Sequence, residues 1–146
     1  MSSALRGVEV VREYNLNASK PVDIRVKWME ANKSALIELK WTGKSINNKG
    51  TISTNYTDSR VVEGLIQLKE YMDIDCTDTP NIISKAYLVV IDGRRRNTKE
   101  TTKKINSEDG LFYENIDYKI PQENRYYERI KKIESPFRMF AKPIIE

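Results

Sequence analysis

Histidine does not occur anywhere in the 146 residues, and this absence narrows the possible chemistry more than any residue that is present. Ser-His-Asp triads, Cys-His proteases, histidine-ligated zinc hydrolases and HNH-type nucleases are all excluded. Cys76 is the only cysteine, so there is no internal disulfide and no cysteine-built zinc site, and it reads as an ordinary loop side chain. No apolar run reaches the length of about eighteen residues that a membrane helix needs, and no signal-peptide segment opens the chain. The expectation is a cytoplasmic protein with no membrane partner. A phosphate-binding loop is also excluded. Gly43-Lys44-Ser45 has the right ending, but Glu38 stands where the upstream glycine is required. Hydrolytic chemistry here must draw on carboxylates, lysine, tyrosine and a hard metal ion.

What is present suits one globular domain spanning residues 1–146, without an internal repeat or a domain boundary. Apolar residues make up 39% and charged residues 32%, and the net charge of +4 is compatible with an anionic partner. The stretch Ser34 to Trp41 alternates as a β-strand, with Ala35, Ile37, Leu39 and Trp41 on one face. Glu38 and Lys40 project together from the other face of a strand that reads as largely buried. Burying a carboxylate and an ammonium is costly, so the pair needs a reason. Either it is a local ion pair at a half-exposed sheet face, or it is a site for a divalent cation and a developing negative charge.

Residues 7–14 have strand composition, and 15–20 read as a turn. Val22 to Trp28 alternate without fault, with Asp23, Arg25 and Lys27 on the polar face. A four-residue link, 29–32, makes this strand a hairpin partner of the next. In that register Trp28 faces Lys33, Ile24 faces Ile37 and Asp23 faces Glu38. Two carboxylates about 5 Å apart across a ladder destabilise it unless a cation compensates them, a shifted register separates them or solvent reaches them.

Residues 42–56 read as a polar loop. A helix is predicted from about Asp58 to Met72, capped by Thr57, Asp58 or Ser59. Val61, Leu65, Leu68 and Met72 form its core stripe, widened by Val62 and Ile66. Arg60, Gly64, Gln67 and Tyr71 share a second face. Gly64 costs about 1 kcal/mol relative to alanine inside a helix, which implies close approach of a backbone or a ligand. The alternative is a polar boundary face with Tyr71 packed on the sheet. Residues 73–84 read as a loop, and Lys85 to Asp92 as a central strand buried on both faces and parallel to a neighbour. From 93 to 110 the chain is charged and reads as a mobile basic loop carrying Arg94, Arg95 and Arg96, either facing nucleic acid or simply solvated. In the C-terminal extension, 111–146, short strands at 111–113 and 118–120, a helix at 122–133 and a last strand after Phe137 are expected.

The order hairpin, Asp23, Glu38-Leu39-Lys40, helix, buried strand resembles the PD-(D/E)XK nuclease superfamily. The proline precedes Asp23 by two positions rather than one. Gln67-Leu68-Lys69-Glu70-Tyr71 is similar to the Gln-x-x-x-Tyr motif on the corresponding helix of the RecB-like branch. The resemblance covers about residues 7–92 and implies an α/β (α+β) restriction-endonuclease-like core around a mixed sheet. It also implies metal-dependent hydrolysis of DNA phosphodiester bonds, an endonuclease-type activity. By it, Asp23, Glu38 and the Leu39 carbonyl hold Mg²⁺ or Mn²⁺. Lys40 orients the water or stabilises charge, and Gln67 and Tyr71 position substrate and Lys40. Arg60 and Arg94–Arg96 are the candidate DNA contacts. Family members usually begin with a helix that often carries another acidic ligand. Here that helix is expected to be absent or truncated, and Glu9 and Glu13 lie on the first strand instead. Two other readings stand beside the enzyme: a catalytically weak or inactive nuclease-fold module that binds nucleic acid or a protein partner, with a homodimer or a larger parent protein as its setting, and an assembly domain that uses its apolar C-terminus.

Overall fold

Four successive strands build an antiparallel meander, with period-2 apolar alternation in 22–28 and 34–41, and one amphipathic helix carries the chain back to extend it in parallel. The computed structural model describes residues 2–5, 7–14, 21–78, 83–96, 98–99, 101–104 and 112–142. Among them the elements are β1 (Ser2–Leu5), β2 (Val8–Tyr14), β3 (Val22–Trp28), β4 (Lys33–Ile46), β5 (Ile52–Tyr56), α1 (Ser59–Asp78), β6 (Ile83–Asp92) and β7 (Phe137–Phe140). The main sheet runs β1-β2-β3-β4-β6-β7, with β5 paired to the far end of β4. β1 to β4 are antiparallel neighbours, whereas β6 lies parallel to β4 and β7 parallel to β6. Among the described residues the fold is a mixed α/β arrangement with one α-helix on one sheet face. No helix among the described residues is long and apolar enough to cross a membrane.

The β3–β4 hairpin has the register its apolar pattern requires, from Trp28↔Lys33 to Ile24↔Ile37. Its turn is completed by Asn32 at φ 48°, a left-handed conformation that asparagine tolerates better than most residues. The burial of β4 is the reverse of what hydrophobicity alone suggests. Ser34, Leu36, Glu38, Lys40 and Thr42 face the helix and are buried, whereas Trp41 on the opposite side is 55% exposed. α1 lays Val61, Leu65, Leu68, Tyr71 and Met72 onto Leu36, Ala86, Leu88 and Val90. Each fully buried leucine or valine there contributes roughly 1.5–3 kcal/mol, so the charged pair is carried within a strong core. Ile133 joins this core, with Tyr118, Ile120, Tyr126, Tyr127 and Ile130 packed against it. On the other face Ile24 and Val26 pair with Ile37 and Ala35, and Phe137 and Met139 lie beside Val89 and Ile91.

Several boundaries differ from the sequence expectations. Residues 42–56 are a β-ribbon rather than a loop, because Gly43 (φ 113°) lets β4 turn away from β6 and pair with β5. A Cβ at Gly43 would lie 2.6 Å from the Gly93 backbone, so only glycine fits there. α1 continues six residues beyond Met72 to Asp78, which places Cys76 on a helix, not in a loop. Ile66 is 47% exposed and does not widen the core stripe. β6 is buried on its helix-facing side only: Ala86, Leu88, Val90 and Asp92 are buried, and Tyr87, Val89 and Ile91 are half-buried. The expected helix at 122–133 is two short 3₁₀ turns, Gln122–Asn124 and Tyr126–Glu128, and no strand forms at 112–113 or 118–120. The turn at 15–20, residues 105–111 of the basic stretch and its continuation, and the end of the last strand after Lys142 lie outside the described residues.

Candidate active site

The β3–β4 ladder ends at Ile24↔Ile37, one step before Asp23 and Glu38 would oppose each other. Asp23 instead turns its carboxylate to the backbone, and Leu39 N–H donates to Asp23 Oδ2 at 2.8 Å. Glu38 takes the other solution open to a buried charge, an ion pair with Lys40 Nζ at 3.0 Å. The repulsion anticipated from the register is thus relieved by strand divergence and by two separate partners. Both members of the ion pair are buried, Glu38 at 3% exposure and Lys40 at 6%. This is not the half-exposed sheet pair considered from sequence. Burial pushes the Glu38 carboxyl above its ordinary pKa; Lys40 and the Asp23 backbone N–H act against this, and the Asp23 charge adds to it. Glu38 Oε2 is left buried without a hydrogen-bond partner.

Helix α1 closes the site from above. A Cβ on Gly64 would lie 2.6 Å from Leu88 Cδ1 and 3.0 Å from Lys40 Cγ. The close approach implied by a mid-helix glycine is therefore to the lysine stem and a core leucine. Gln67 is 7% exposed, and its Oε1 is a second buried acceptor without a partner. Tyr71 is fully buried and donates its hydroxyl to the Pro21 carbonyl at 3.1 Å. It thereby fixes the backbone two residues before Asp23. Burial first, then the nearby charges of Glu38 and Asp23, raise the Tyr71 phenol well above its ordinary pKa. Asp23, Glu38, Lys40 and Tyr71 thus lie near one another between the β3–β4 hairpin and α1, with Asp23 the most open of them, and Gln67 is buried on α1 one turn before Tyr71.

The four arginines proposed as DNA contacts lie elsewhere. Arg60 pairs with Glu63 at 2.8 Å and stacks over Tyr56. Arg94 is engaged bidentately by Asp92, with Nε to Oδ1 at 3.0 Å and Nη2 to Oδ2 at 2.8 Å, and its guanidinium lies 4.2 Å from the Tyr118 ring centroid. Arg95 stacks over Tyr113 and donates to the Ala141 carbonyl, and Arg96 stacks over Phe112. Three consecutive arginines are thereby matched to three aromatics of one segment, pinning 112–118 to the end of β6.

Sequence reasoning did not single out the Asp92–Arg94–Thr42–Tyr118 network, one step along the sheet from Lys40. Asp92 is fully buried, and Thr42 Oγ1 lies 3.4 Å from its Oδ1 and 2.8 Å from the Tyr118 hydroxyl. Burial favours the protonated form of Asp92, but the Arg94 hydrogen bonds outweigh it and hold the carboxyl below its usual range. The available signal was an aspartate ending an apolar strand two residues before an arginine. A cavity of about 440 Å³, lined by Trp28, Lys33, Ala35, Lys85 and Tyr87 among others, opens at the beginning of β4, away from the carboxylates.

Whether this donor set suits a divalent cation is a question of its oxygens. Among the described residues no three acidic, histidine or cysteine side chains form a metal-binding group. Mg²⁺, however, keeps several waters and is commonly held by one or two carboxylates. Asp23 and Glu38 supply two such carboxylates, and the unpartnered Glu38 Oε2 is an oxygen of the kind such an ion takes. A scan against protein-family models and searches of curated proteins and of solved structures returned no match.

Proposed function

We propose that the protein is a Mg²⁺- or Mn²⁺-dependent nuclease that hydrolyses DNA phosphodiester bonds at the Asp23–Glu38–Lys40 cluster. The reading rests on one observation: of the residues that resemble the PD-(D/E)XK pattern, Glu38, Lys40, Gln67 and Tyr71 are buried between β4 and α1 beside half-buried Asp23, with a Glu38 carboxylate oxygen left unsatisfied. A restriction-endonuclease-like core is part of the same proposal. When bound, the metal supplies a water of lowered pKa and a counter-charge for the phosphate oxygens.

The chain's own groups do the remaining work. Asp23 and Glu38 present oxygens to the ion from two strands, and Asp23 is held in orientation by the Leu39 N–H. Lys40 lies 3.0 Å from Glu38 Oε1, where its ammonium can hold the attacking water or offset charge on the reacting phosphate. Gly64 lets the helix lie close on the lysine stem, which restricts where the ammonium can go. Tyr71 positions Asp23 through Pro21, and Gln67 contributes a buried amide one helical turn before Tyr71. Substrate reaches the cluster from the Asp23 side, where burial is least complete.

The test is cleavage of single- and double-stranded DNA with Mg²⁺ or Mn²⁺, comparing the wild type with Lys40→Ala, both shown to be folded. Metal-dependent cutting that disappears in Lys40→Ala supports the enzyme and the assignment together. Cutting that survives the substitution rejects the role given to Lys40. DNA binding without cutting by either protein favours the second reading, a nuclease-fold binding module.

A further inference from the structure

The ribbon that β4 forms beyond the site has an unusual charge distribution. Between Glu38 and Asp58 there is no acidic residue, whereas Lys44 and Lys49 fall within the ribbon. A second basic stretch packs against it. Lys103 O accepts Ile52 N–H at 2.9 Å, Thr51 forms a bridge with Lys104, and Lys44 Nζ donates to the Lys99 carbonyl. Residues 49, 99, 103 and 104 are all exposed. The tip is rigid by construction, since Asn47 Oδ1 accepts the backbone N–H groups of both Lys49 and Thr51. Like charges gathered on an ordered, exposed surface repel one another and lower stability unless a polyanion neutralises them. On β5 the exposed side chains Ser53, Thr54 and Asn55 are short hydrogen-bonding groups. They leave the ribbon slim enough for a groove that admits two strands.

Taking the nuclease reading as its starting point, we propose that the β4–β5 ribbon and the 101–104 segment form the surface that grips the nucleic-acid backbone. Lys49, Lys103 and Lys104 are its phosphate contacts. Gly43, where the ribbon leaves the main sheet, is only three residues from Lys40, about 10 Å of strand. A backbone bound along the ribbon therefore runs on toward the carboxylate cluster. This assignment replaces the arginines as the principal contacts. Arg94 and Arg95 spend their donors on Asp92 and on backbone carbonyls, whereas these lysines point to solvent.

The experiment measures binding, not cutting. Fluorescence anisotropy of a labelled duplex of about 20 base pairs, and of one strand alone, is followed against KCl concentration in EDTA. The proteins are wild type, K49Q/K103Q/K104Q, K49R/K103R/K104R and R96Q. For the duplex, the slope of log K against log[KCl] should become less steep by about 2.7 in the glutamine variant, about 0.9 per lysine. It should stay near wild type in the arginine variant and change little in R96Q. For the single strand the expected change is about 0.7 per lysine. The proposal is overturned by an unchanged slope in the glutamine variant, by a loss seen only in R96Q, or by no DNA binding at all. It is equally overturned if the three lysines govern binding to phosphatidylserine vesicles but not to DNA. Lysine-dependent binding without metal-dependent cutting would leave this surface standing and remove the nuclease reading. Cutting with lysine-independent binding would do the reverse.

Discussion

Replacing Lys40 by methionine deletes the ammonium while keeping much of the stem that packs beneath Gly64. Glu38, at 3% exposure, then loses the partner that lies 3.0 Å from its Oε1, and its Oε2 already has none. Removing one member of a buried ion pair typically costs about 3–5 kcal/mol, a large share of a usual total stability of about 5–15 kcal/mol. The penalty should depend on pH in a defined direction. Burial raises the Glu38 pKa in the wild type, and Lys40 opposes that rise, so losing Lys40 raises it further. A carboxyl whose folded pKa exceeds the unfolded value of about 4.3 takes up a proton on folding. The destabilisation is therefore absent below about pH 4, grows as pH rises through the folded pKa, and is constant above it. Urea denaturation of both proteins in EDTA, from acid to pH 8, should show midpoints that nearly coincide at the acid end and diverge toward neutrality. A gap that does not vary with pH, or one under about 1 kcal/mol at pH 8, would refute the account of Glu38 as a buried charge held by Lys40. The double substitution Glu38→Gln/Lys40→Met removes both charges and should recover most of the loss, giving a clear coupling energy.

Other perturbations probe neighbouring contacts. Gly64→Ala gains about 1 kcal/mol of helix propensity but places a Cβ 2.6 Å from buried Leu88, an overpacking cost of about 1–3 kcal/mol. A net loss of about 0–2 kcal/mol by urea melt is expected, with cleavage falling on the order of 10- to 100-fold as Lys40 is displaced. Ile66→Ala, at a 47% exposed position on the same helix, serves as the near-neutral comparison. Tyr71→Phe leaves the Pro21 carbonyl without its donor and should cost about 1 kcal/mol. Wild-type stability would count against the pinning role. Arg94→Ala strands the fully buried Asp92 and should cost about 3–5 kcal/mol at pH 7. Because Arg94 holds the Asp92 pKa below its unfolded value, its stabilisation is full above about pH 4 and lost as pH falls through the folded pKa. Urea midpoints between pH 5 and pH 2 should show that acid-side loss shrink or reverse in the variant.

Much of the site was legible in the sequence because it depends on short-range periodicity. Strand alternation fixed the β3–β4 register through Ile24↔Ile37, and helical spacing placed Gly64, Gln67 and Tyr71 on one face. Those two local rules place Asp23 beside Glu38 and Lys40 on neighbouring strands, and Gln67 and Tyr71 on one face of the helix. The identity of the buried face was not local. Ala35, Ile37, Leu39 and Trp41 are the more apolar side of β4, yet α1 covers Glu38 and Lys40, because its Gly64 fits over the lysine stem and its leucines fit between Leu36 and Leu88.

Other features depend on contacts that periodicity cannot encode. Strand divergence at Asp23 depends on a side chain capturing the Leu39 N–H in place of the next ladder pair. The ribbon at 42–56 forms because Gly43 meets the backbone of Gly93, fifty residues away in sequence. Arg94, Arg95 and Arg96 read as a solvated charge run, since nothing nearby in sequence announces that Tyr118, Tyr113 and Phe112 will return to stack beneath them. Composition, register and helix face are properties of a few consecutive residues and can be read from them directly. Which face is buried, which cation is already paired and which remains free for a phosphate are settled by contacts between segments distant along the chain, and only the folded structure brings those together.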